Sequence, residues 1–346
     1  MRCEKCGFAN HISQITYRKS FAMIKAGIIG GAGYTGGELI RLLINHPDVE
    51  IAYVNSSSNA GNYVYEVHTD LFGDTDLRFT SEVSTDIDVI FLCVAHGDAK
   101  KFLAANPMPS SVKIVDLSQD FRIKGTSPEG TGFVYGLPEI NKQAIQTATQ
   151  IANPGCFATC LQLGLLPLAA NGLLTDELHI TGVTGSTGAG QKPTTSTHFS
   201  WRSNNLSVYK AFEHQHLKEI TQSVVLLQPS YKHSINFIPY RGDFARGIIA
   251  NIHTKFSGTE EEAVELYQKF YAGQPFTHVS TQNIDLKQVV NTNKCLVHVE
   301  KHGEYLLVMS IIDNLLKGAS GQAVQNMNLM FGIPETAGLK LKPVAF

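Results

Sequence analysis

The stretch Ile24-Lys25-Ala26-Gly27-Ile28-Ile29-Gly30-Gly31-Ala32-Gly33-Tyr34-Thr35-Gly36 joins a short apolar run to a turn with G-x-x-G-x-x-G spacing. Residues 24–29 read as a strand, and a helix is expected over 37–45, with Leu39, Leu42 and Leu43 on one face and Pro47 past its end. Glycines in such a turn let backbone N–H groups approach a pyrophosphate, and the helix N-terminus adds partial positive charge. Gly30, Gly33, Tyr34, Thr35 and Gly36 are therefore candidate nucleotide contacts.

Outward from this turn, residues 49–54, 89–94 and 114–117 form further apolar runs, as expected of strands covered on both faces. Strands alternating with helical stretches predict a doubly wound α/β domain of Rossmann type. The second strand runs into Val54-Asn55-Ser56-Ser57-Ser58, with no carboxylate for a ribose hydroxyl. Ser56 and Ser57 can instead donate to a 2′-phosphate, which points to NADP, although no Arg lies near them in sequence. Ala95 and His96 follow the third strand and fall at the carboxyl edge of the sheet, where such folds bind ligands.

The texture changes after Asn153. A helix is expected over 156–170, strands over 178–184, 247–253 and 305–312, a second helix over 260–271, and a Gly/Ser/Thr-rich segment over 185–207. These predict an α+β second domain with an antiparallel or mixed sheet. The expected division is a poorly patterned leader 1–22, an NADP-binding domain 23–153, a catalytic and oligomerisation domain 154–317, and a C-terminal helix within 318–346 that packs back on the first domain.

Asn153-Pro154-Gly155-Cys156 carries the chemistry, because a turn delivers a cysteine to the start of an apolar helix. Helix N-termini favour the thiolate, so Cys156 is expected to be a nucleophile ready near neutral pH, whereas Cys160 one turn on belongs to the core. Thioester chemistry also needs an acid/base group with a pKa near working pH. Glu213-His214-Gln215-His216-Leu217-Lys218-Glu219 offers His214 first and His216 second, on a helix that points them apart, with Glu213 or Glu219 to orient the ring. Thr184-Gly185-Ser186-Thr187-Gly188-Ala189-Gly190 can present N–H and O–H donors, through Ser186 and Gly188, to a phosphate or an oxyanion. Arg122, Lys192, Arg241 and Arg246 are the cations available for a substrate carboxylate or phosphate.

A chain of 346 residues suits two domains of ordinary size. Lys+Arg against Asp+Glu is 28 − 30 = −2, which argues against nucleic acid as a partner. No apolar run reaches the roughly 20 residues of a membrane span, and no signal-peptide pattern opens the chain, so a cytoplasmic location is the default expectation. Six cysteines scattered over the chain read as reduced thiols. Cys3 and Cys6, with His11 beyond them, make half a zinc motif, and no metal is expected.

Taken together, these segments resemble the N-acyl-γ-glutamyl-phosphate reductases of arginine biosynthesis, relatives of aspartate-semialdehyde dehydrogenase. The resemblance covers residues 24–333. Its further marks are Asp116-Leu117-Ser118-Gln119-Asp120-Phe121-Arg122, Tyr135-Gly136-Leu137-Pro138-Glu139, Arg246-Gly247, and Asp313-Asn314-Leu315-Leu316-Lys317-Gly318-Ala319. It implies a catalytic domain of the glyceraldehyde-3-phosphate/aspartate-semialdehyde dehydrogenase type and a homo-oligomer, dimer or tetramer. It also implies NADPH-dependent reduction of N-acetyl-γ-glutamyl phosphate to the 5-semialdehyde through a Cys156 thioester, with one of the two histidines as acid/base. Asn314 is implied to place the nicotinamide amide. Two departures stand out: Gln215 lies between the histidines where many members have Arg, and Gln191-Lys192 follows the glycine loop where others have Arg. They bear on how the phosphate or acyl group is held, and leave the acyl group, acetyl or succinyl, open. An aspartate-semialdehyde or amino-adipate reductase and a non-catalytic nucleotide sensor are the alternatives. The Pro-Gly-Cys and His-x-His segments weigh against the first, and the intact cysteine and histidines against the sensor.

Overall fold

The computed structural model describes residues 22–124 and 132–344. Seven strands make the first sheet: β1 (Ile24–Ile29), β2 (Val49–Asn55), β3 (Phe79–Thr80), β4 (Val89–Leu92), β5 (Lys113–Asp116), β6 (Val134–Tyr135) and β7 (Gln150–Ala152). All are parallel, in the order 3-2-1-4-5-7-6. Helices α1 (Tyr34–Leu43), α2 (Asp98–Ala105) and α3 (Pro138–Thr147) provide crossovers. The order reverses between β1 and β4, so a crevice opens at the carboxyl ends of those two strands. Both the glycine turn after β1 and His96 after β4 border that crevice.

The second unit begins with α4 (Cys156–Ala170), followed by β8 (Leu178–Thr184), α5 (Phe199–Arg202), β9 (Ser207–Val208), α6 (Leu217–Leu227) and β10 (Ile235–Arg241). It continues through β11 (Ile248–Lys255), α7 (Glu260–Phe270), β12 (Thr277–Ser280), β13 (Cys295–His302) and β14 (Tyr305–Ile312), and the chain then enters α8 (Ser320–Met330). Its sheet is mixed, in the order 12-13-14-11-8-10-9, with β12–β13 and β8–β10 parallel and the other pairs antiparallel.

Helix α4 lies across β11, β13 and β14 with α6 beside it. Leu161, Leu163, Leu165, Leu166 and Leu168 are all fully buried, which explains a helix that is apolar all round. Each such leucine contributes about 1.5–3 kcal/mol by leaving water, so the nucleophile's helix is held rigidly beneath its first residue.

Helix α8 returns to the first unit and packs on α1 and α3, with Ser320 Oγ donating to Thr35 O at 2.8 Å. Between the units, buried Lys317 pairs with Glu139 at 2.8 Å and donates to Gln325 at 2.9 Å, as a buried ammonium requires. Observed helix α1 starts at Tyr34, inside the glycine turn, three residues before the predicted start. Tight Gly–Gly packing there lets the helix begin early. The leader, and with it the Cys3, Cys6 and His11 motif, lies outside the described residues apart from Ala22. No described helix is long and apolar enough to cross a membrane.

Candidate active site

A cleft of about 700 Å³ separates the two units at the crevice. One wall is the glycine turn. Gly30 has φ +77°, and a Cβ there would sit 2.4 Å from Cys93 O, while one at Gly36 would sit 2.6 Å from Gly31 Cα. These two glycines are therefore required by close packing. Gly33 is different: it caps α1 without a side-chain bond, and a Cβ there would meet only Gly30 O, at 3.6 Å. The open space above Gly33 and the first-turn N–H groups of Tyr34 and Thr35 form a cradle suited to a pyrophosphate. No acidic residue occupies that first turn.

Ser56 and Ser57 follow β2 at the same sheet edge but do not line the cleft. Ser56 is buried and its Oγ accepts from Asn59 Nδ2 at 3.1 Å, whereas Ser57 is exposed. Pairing of β2 with β3 brings Arg78 to this loop, where it donates to Gly61 O at 2.6 Å and its guanidinium lies 3.4 Å from the Tyr63 ring centroid. Sequence distance hid that arginine. Ala95 and His96 both line the cleft, and His96 Nδ1 accepts from Gln119 N at 3.2 Å. Burial and then Arg122 lower the pKa of His96.

Cys156 opens α4 on the opposite wall, behind an uncapped Gly155. Its thiol departs from the sequence-based expectation. Burial pushes its pKa up to about 11, against a partial offset from the Phe157 N–H and the more distant Arg122 charge. The free site thus holds a thiol rather than a standing thiolate, and a base has to take its proton.

His214 and His216 both face this cleft. They precede α6 in a turn and are not within a helix, so the rings sit together, T-shaped with centroids 4.7 Å apart, instead of diverging. His216 N donates to His214 Nδ1 at 3.3 Å. His214 packs edge-on against Phe157, Tyr209 and Phe237. Burial, with Lys210 and Arg241, lowers its pKa to about 4, and burial drives His216 well below the usual histidine range. Both shifts favour the neutral ring.

His216 lies nearer the nucleophile's turn: a Cβ on Gly155 would be 2.3 Å from its Nε2. Its Nδ1 is buried with no partner among the described residues. Glu219 joins this group. Its Oε2 accepts from Gly155 N at 3.0 Å and Tyr135 OH at 2.9 Å, and its Oε1 accepts from Arg122 Nη1 at 3.2 Å and lies 3.9 Å from His216 Nε2. Of the two carboxylates considered from sequence, Glu219 is the one beside the histidines, while Glu213 is exposed.

The cations expected to bind substrate separate sharply. Arg122 borders the cleft, but its three nitrogens bond Asn153 O, Glu219 Oε1 and Leu117 O, so it holds the turn before Cys156 and is not a free anion ligand. Arg246 is corrected likewise: Asp313 takes two of its bonds, at 3.0 and 3.2 Å, and Glu38 a third at 2.7 Å, which clamps the second unit to α1. Lys192 is exposed and off the cleft, whose wall carries Gln191 instead. Gly188 lines the cleft and Ser186 does not. Asn314 does, with Oδ1 accepting from Gly247 N at 2.8 Å and Nδ2 donating to Thr187 Oγ1 at 3.0 Å, so one amide hydrogen is left to face the cleft. Tyr209 and Lys210, unmarked in the sequence reading, complete the wall with Arg241.

Residues 25–148 match the semialdehyde dehydrogenase NAD binding domain and residues 156–314 the semialdehyde dehydrogenase dimerisation domain. N-acetyl-γ-glutamyl-phosphate reductases from Bacteroides thetaiotaomicron and Phocaeicola vulgatus are 61% and 62% identical over 325 residues, which is 94% of this chain and 100% of each relative. The Flavobacterium johnsoniae reductase is 54% identical over the same span. Among solved structures, aspartate semialdehyde dehydrogenase II of Vibrio cholerae complexed with ASA has a TM-score of 0.71 at 16% identity, covering 90% of this chain and 99% of that one. The Candida albicans enzyme with NADP gives a TM-score of 0.66 at 15% identity, over 90% and 99%. These two show a shared fold. By its close relatives and by both domains, the chain belongs to the N-acetyl-γ-glutamyl-phosphate reductase family of semialdehyde dehydrogenases.

Proposed function

We propose that this protein reduces N-acetyl-γ-glutamyl phosphate to N-acetyl-glutamate 5-semialdehyde, releasing phosphate, with NADPH as the reductant and Cys156 as the covalent nucleophile. The observation that carries the reading is the facing of Cys156, with the His216–Glu219 pair against Gly155, across one cleft from the glycine cradle.

Cys156 Sγ attacks the acyl carbon while its proton passes to neutral His216, for which Glu219 stabilises the charge that forms. The C–O bond to phosphate breaks and a thioester remains on Cys156. Thr187 to Gly190 line the cleft and can offer donors to the leaving phosphate. When bound, the nicotinamide supplies the hydride that reduces the thioester. His216 then manages the proton as the hemithioacetal collapses, which frees the aldehyde and restores the thiol. His216 is preferred over His214 because its ring abuts residue 155.

Gly33, Tyr34 and Thr35 support the pyrophosphate, Gly30 and Gly36 shape the turn, and Ala95, His96 and Asn314 border the nicotinamide end. Ser56 and Ser57, with no carboxylate at that strand end, favour the 2′-phosphate of NADP. The working domain limits are 23–153, 154–317 and a returning C-terminal segment 318–346. A homo-oligomer acting in the cytoplasm completes the reading, supported by the match to a dimerisation domain and by the absence of a membrane-length helix among the described residues.

The test is phosphate-dependent reduction of NADP by the purified protein with N-acetyl-glutamate, N-succinyl-glutamate and aspartate semialdehydes side by side. Turnover of a glutamate compound is expected and identifies the acyl group. Activity confined to aspartate semialdehyde, or none at all, overturns the assignment. Cys156→Ser is expected to keep nucleotide binding and lose nearly all turnover.

A further inference from the structure

One end of the proposed substrate, the carboxylate that takes no part in the chemistry, has no ligand in the mechanism above. We propose that Arg241, with Lys210 beside it, holds that non-reacting carboxylate and so determines which acids the enzyme accepts. The assignment deepens the function just proposed and rests on it.

Other guanidinium groups of the two units already have partners. Every guanidinium nitrogen of Arg122 and of Arg246 makes a bond as described, and Arg202 donates to Ser196 O, Asn205 O, Arg241 O and Ser207 Oγ. Arg241 differs from these three, because its Nε is buried with no hydrogen-bond partner among the described residues. An unmet buried donor on a cation is costly, and a carboxylate would satisfy it. Arg241 ends β10 and pairs with Thr184 at the end of β8, so it stands at the rim from which the phosphate-side loop departs, and it lines the cleft. The guanidinium carbon lies 4.5 Å from the Tyr209 ring centroid, a stacking that fixes the plane of the fork.

Lys210 lines the same wall, and its backbone holds a left-handed φ of 46°. For a non-glycine residue this is a strained conformation, of the kind kept where a side chain must be aimed. Its Nζ donates to Gln215 Oε1 at 3.1 Å, so the glutamine between the histidines orients a cation. The charges of Lys210 and Arg241 both reach His214 and hold its protonation down. Two cations thus line the cleft within electrostatic reach of His214.

The carboxylate suits them better than the phosphate does. Phosphate is bonded to the very carbon that Cys156 attacks, so it must lie at the thiol, whereas the free carboxylate sits at the far end of the substrate. A planar guanidinium fork can meet a planar carboxylate in two parallel bonds.

The experiment is steady-state kinetics in the aldehyde-oxidising direction, at varied phosphate. The substrates are the N-acyl-glutamate semialdehyde that the wild type turns over and the corresponding N-acyl-4-aminobutanal, which lacks the carboxylate. Wild type is expected to lose roughly 10- to 100-fold in kcat/KM on going to the truncated aldehyde. Arg241→Ala should lose a similar factor on the full substrate, discriminate the two aldehydes by less than about threefold, and keep the wild-type KM for phosphate. Lys210→Ala should show a smaller loss in the same direction, and Arg241→Lys should retain part of the discrimination because it keeps the charge without the fork. Undiminished discrimination in Arg241→Ala overturns the assignment, as does a rise in phosphate KM that matches the loss on the aldehyde. NADPH binding by fluorescence reports whether Arg241→Ala is folded, and if it is not, the Arg241→Lys result decides. A wild type that turns over no glutamate semialdehyde overturns the function itself, and this assignment with it.

Discussion

The reactivity of Cys156 toward a small alkylating agent should rise with pH far into the alkaline range. Two effects oppose each other at this residue. Its place at the start of α4 favours the thiolate, and its burial in the cleft wall opposes it. Burial is the larger, and the thiol moves from 9.0 to about 11. Two pH units correspond to about a hundredfold smaller thiolate fraction at neutral pH, roughly one thiol in ten thousand. Cys156 keeps partial contact with the cleft, so the hundredfold is an upper bound and about tenfold a reasonable floor. The assay is the pH dependence of iodoacetamide modification in the ligand-free protein, followed by mass spectrometry on the peptide that contains Cys156. Carbamidomethylation should increase about tenfold per pH unit from 7 to beyond 9, with no plateau in that range. A plateau reached by pH 8 would refute the reasoning, because it would mean that helix and backbone donors outweigh burial and that the nucleophile stands ready without a base.

Three other perturbations test separate parts of the site. Gly155→Ala would drive a Cβ to 2.3 Å of His216 Nε2, so the ring has to move, and turnover should fall by about 100-fold while NADPH binding is unchanged; activity within threefold of wild type removes His216 from the proton path. Arg246→Met should lower stability by about 3 kcal/mol, read from urea denaturation, because Asp313 and Glu38 lose their common partner, and should leave the KM of the acyl substrate within twofold; a large KM change at unchanged stability would return Arg246 to the substrate site. Replacing Ser56 and Ser57 together by Ala should raise the KM for NADPH by about tenfold and that for NADH hardly at all, and equal changes would discredit the 2′-phosphate argument.

Where a segment's environment is uniform, its sequence carried enough to locate it. The helix at residues 156–170 and the strands at 178–184 and 305–312 have the predicted bounds, because the helix and the second strand are mostly apolar, the first strand alternates buried and more exposed residues, and turn residues follow each. Two-residue strands such as β3, β6 and β9 have no period to detect. Helix α2 buries a single residue, Ala99, so no apolar stripe marks it. The two histidines were visible as a pair, but their relation was misjudged. Reading Glu213 to Glu219 as one helix turned the rings apart, whereas α6 begins only at Leu217.

The candidate site shows a second boundary on what local sequence can say. Residue type announced the arginines near the cleft but not Lys210, and only long-range pairing sorted them. Arg246 meets Glu38 across 208 positions and Asp313 across 67, and Arg122 meets Glu219 across 97. No window of sequence contains both members of any of these pairs. The same holds for the thiol: the helix start that favours ionisation is written within four residues, whereas the burial that opposes it draws on distant segments such as Gly318, which packs against Cys156 Cβ. Chemistry at Cys156 is thus set by a contest between a local and a non-local term, and only the local one could be read in advance. That contest also explains why the base belongs beside the nucleophile's own turn: with burial suppressing the free thiolate, Gly155, His216 and Glu219 have to act as one unit, and Arg122 is committed to holding that unit together instead of to the substrate.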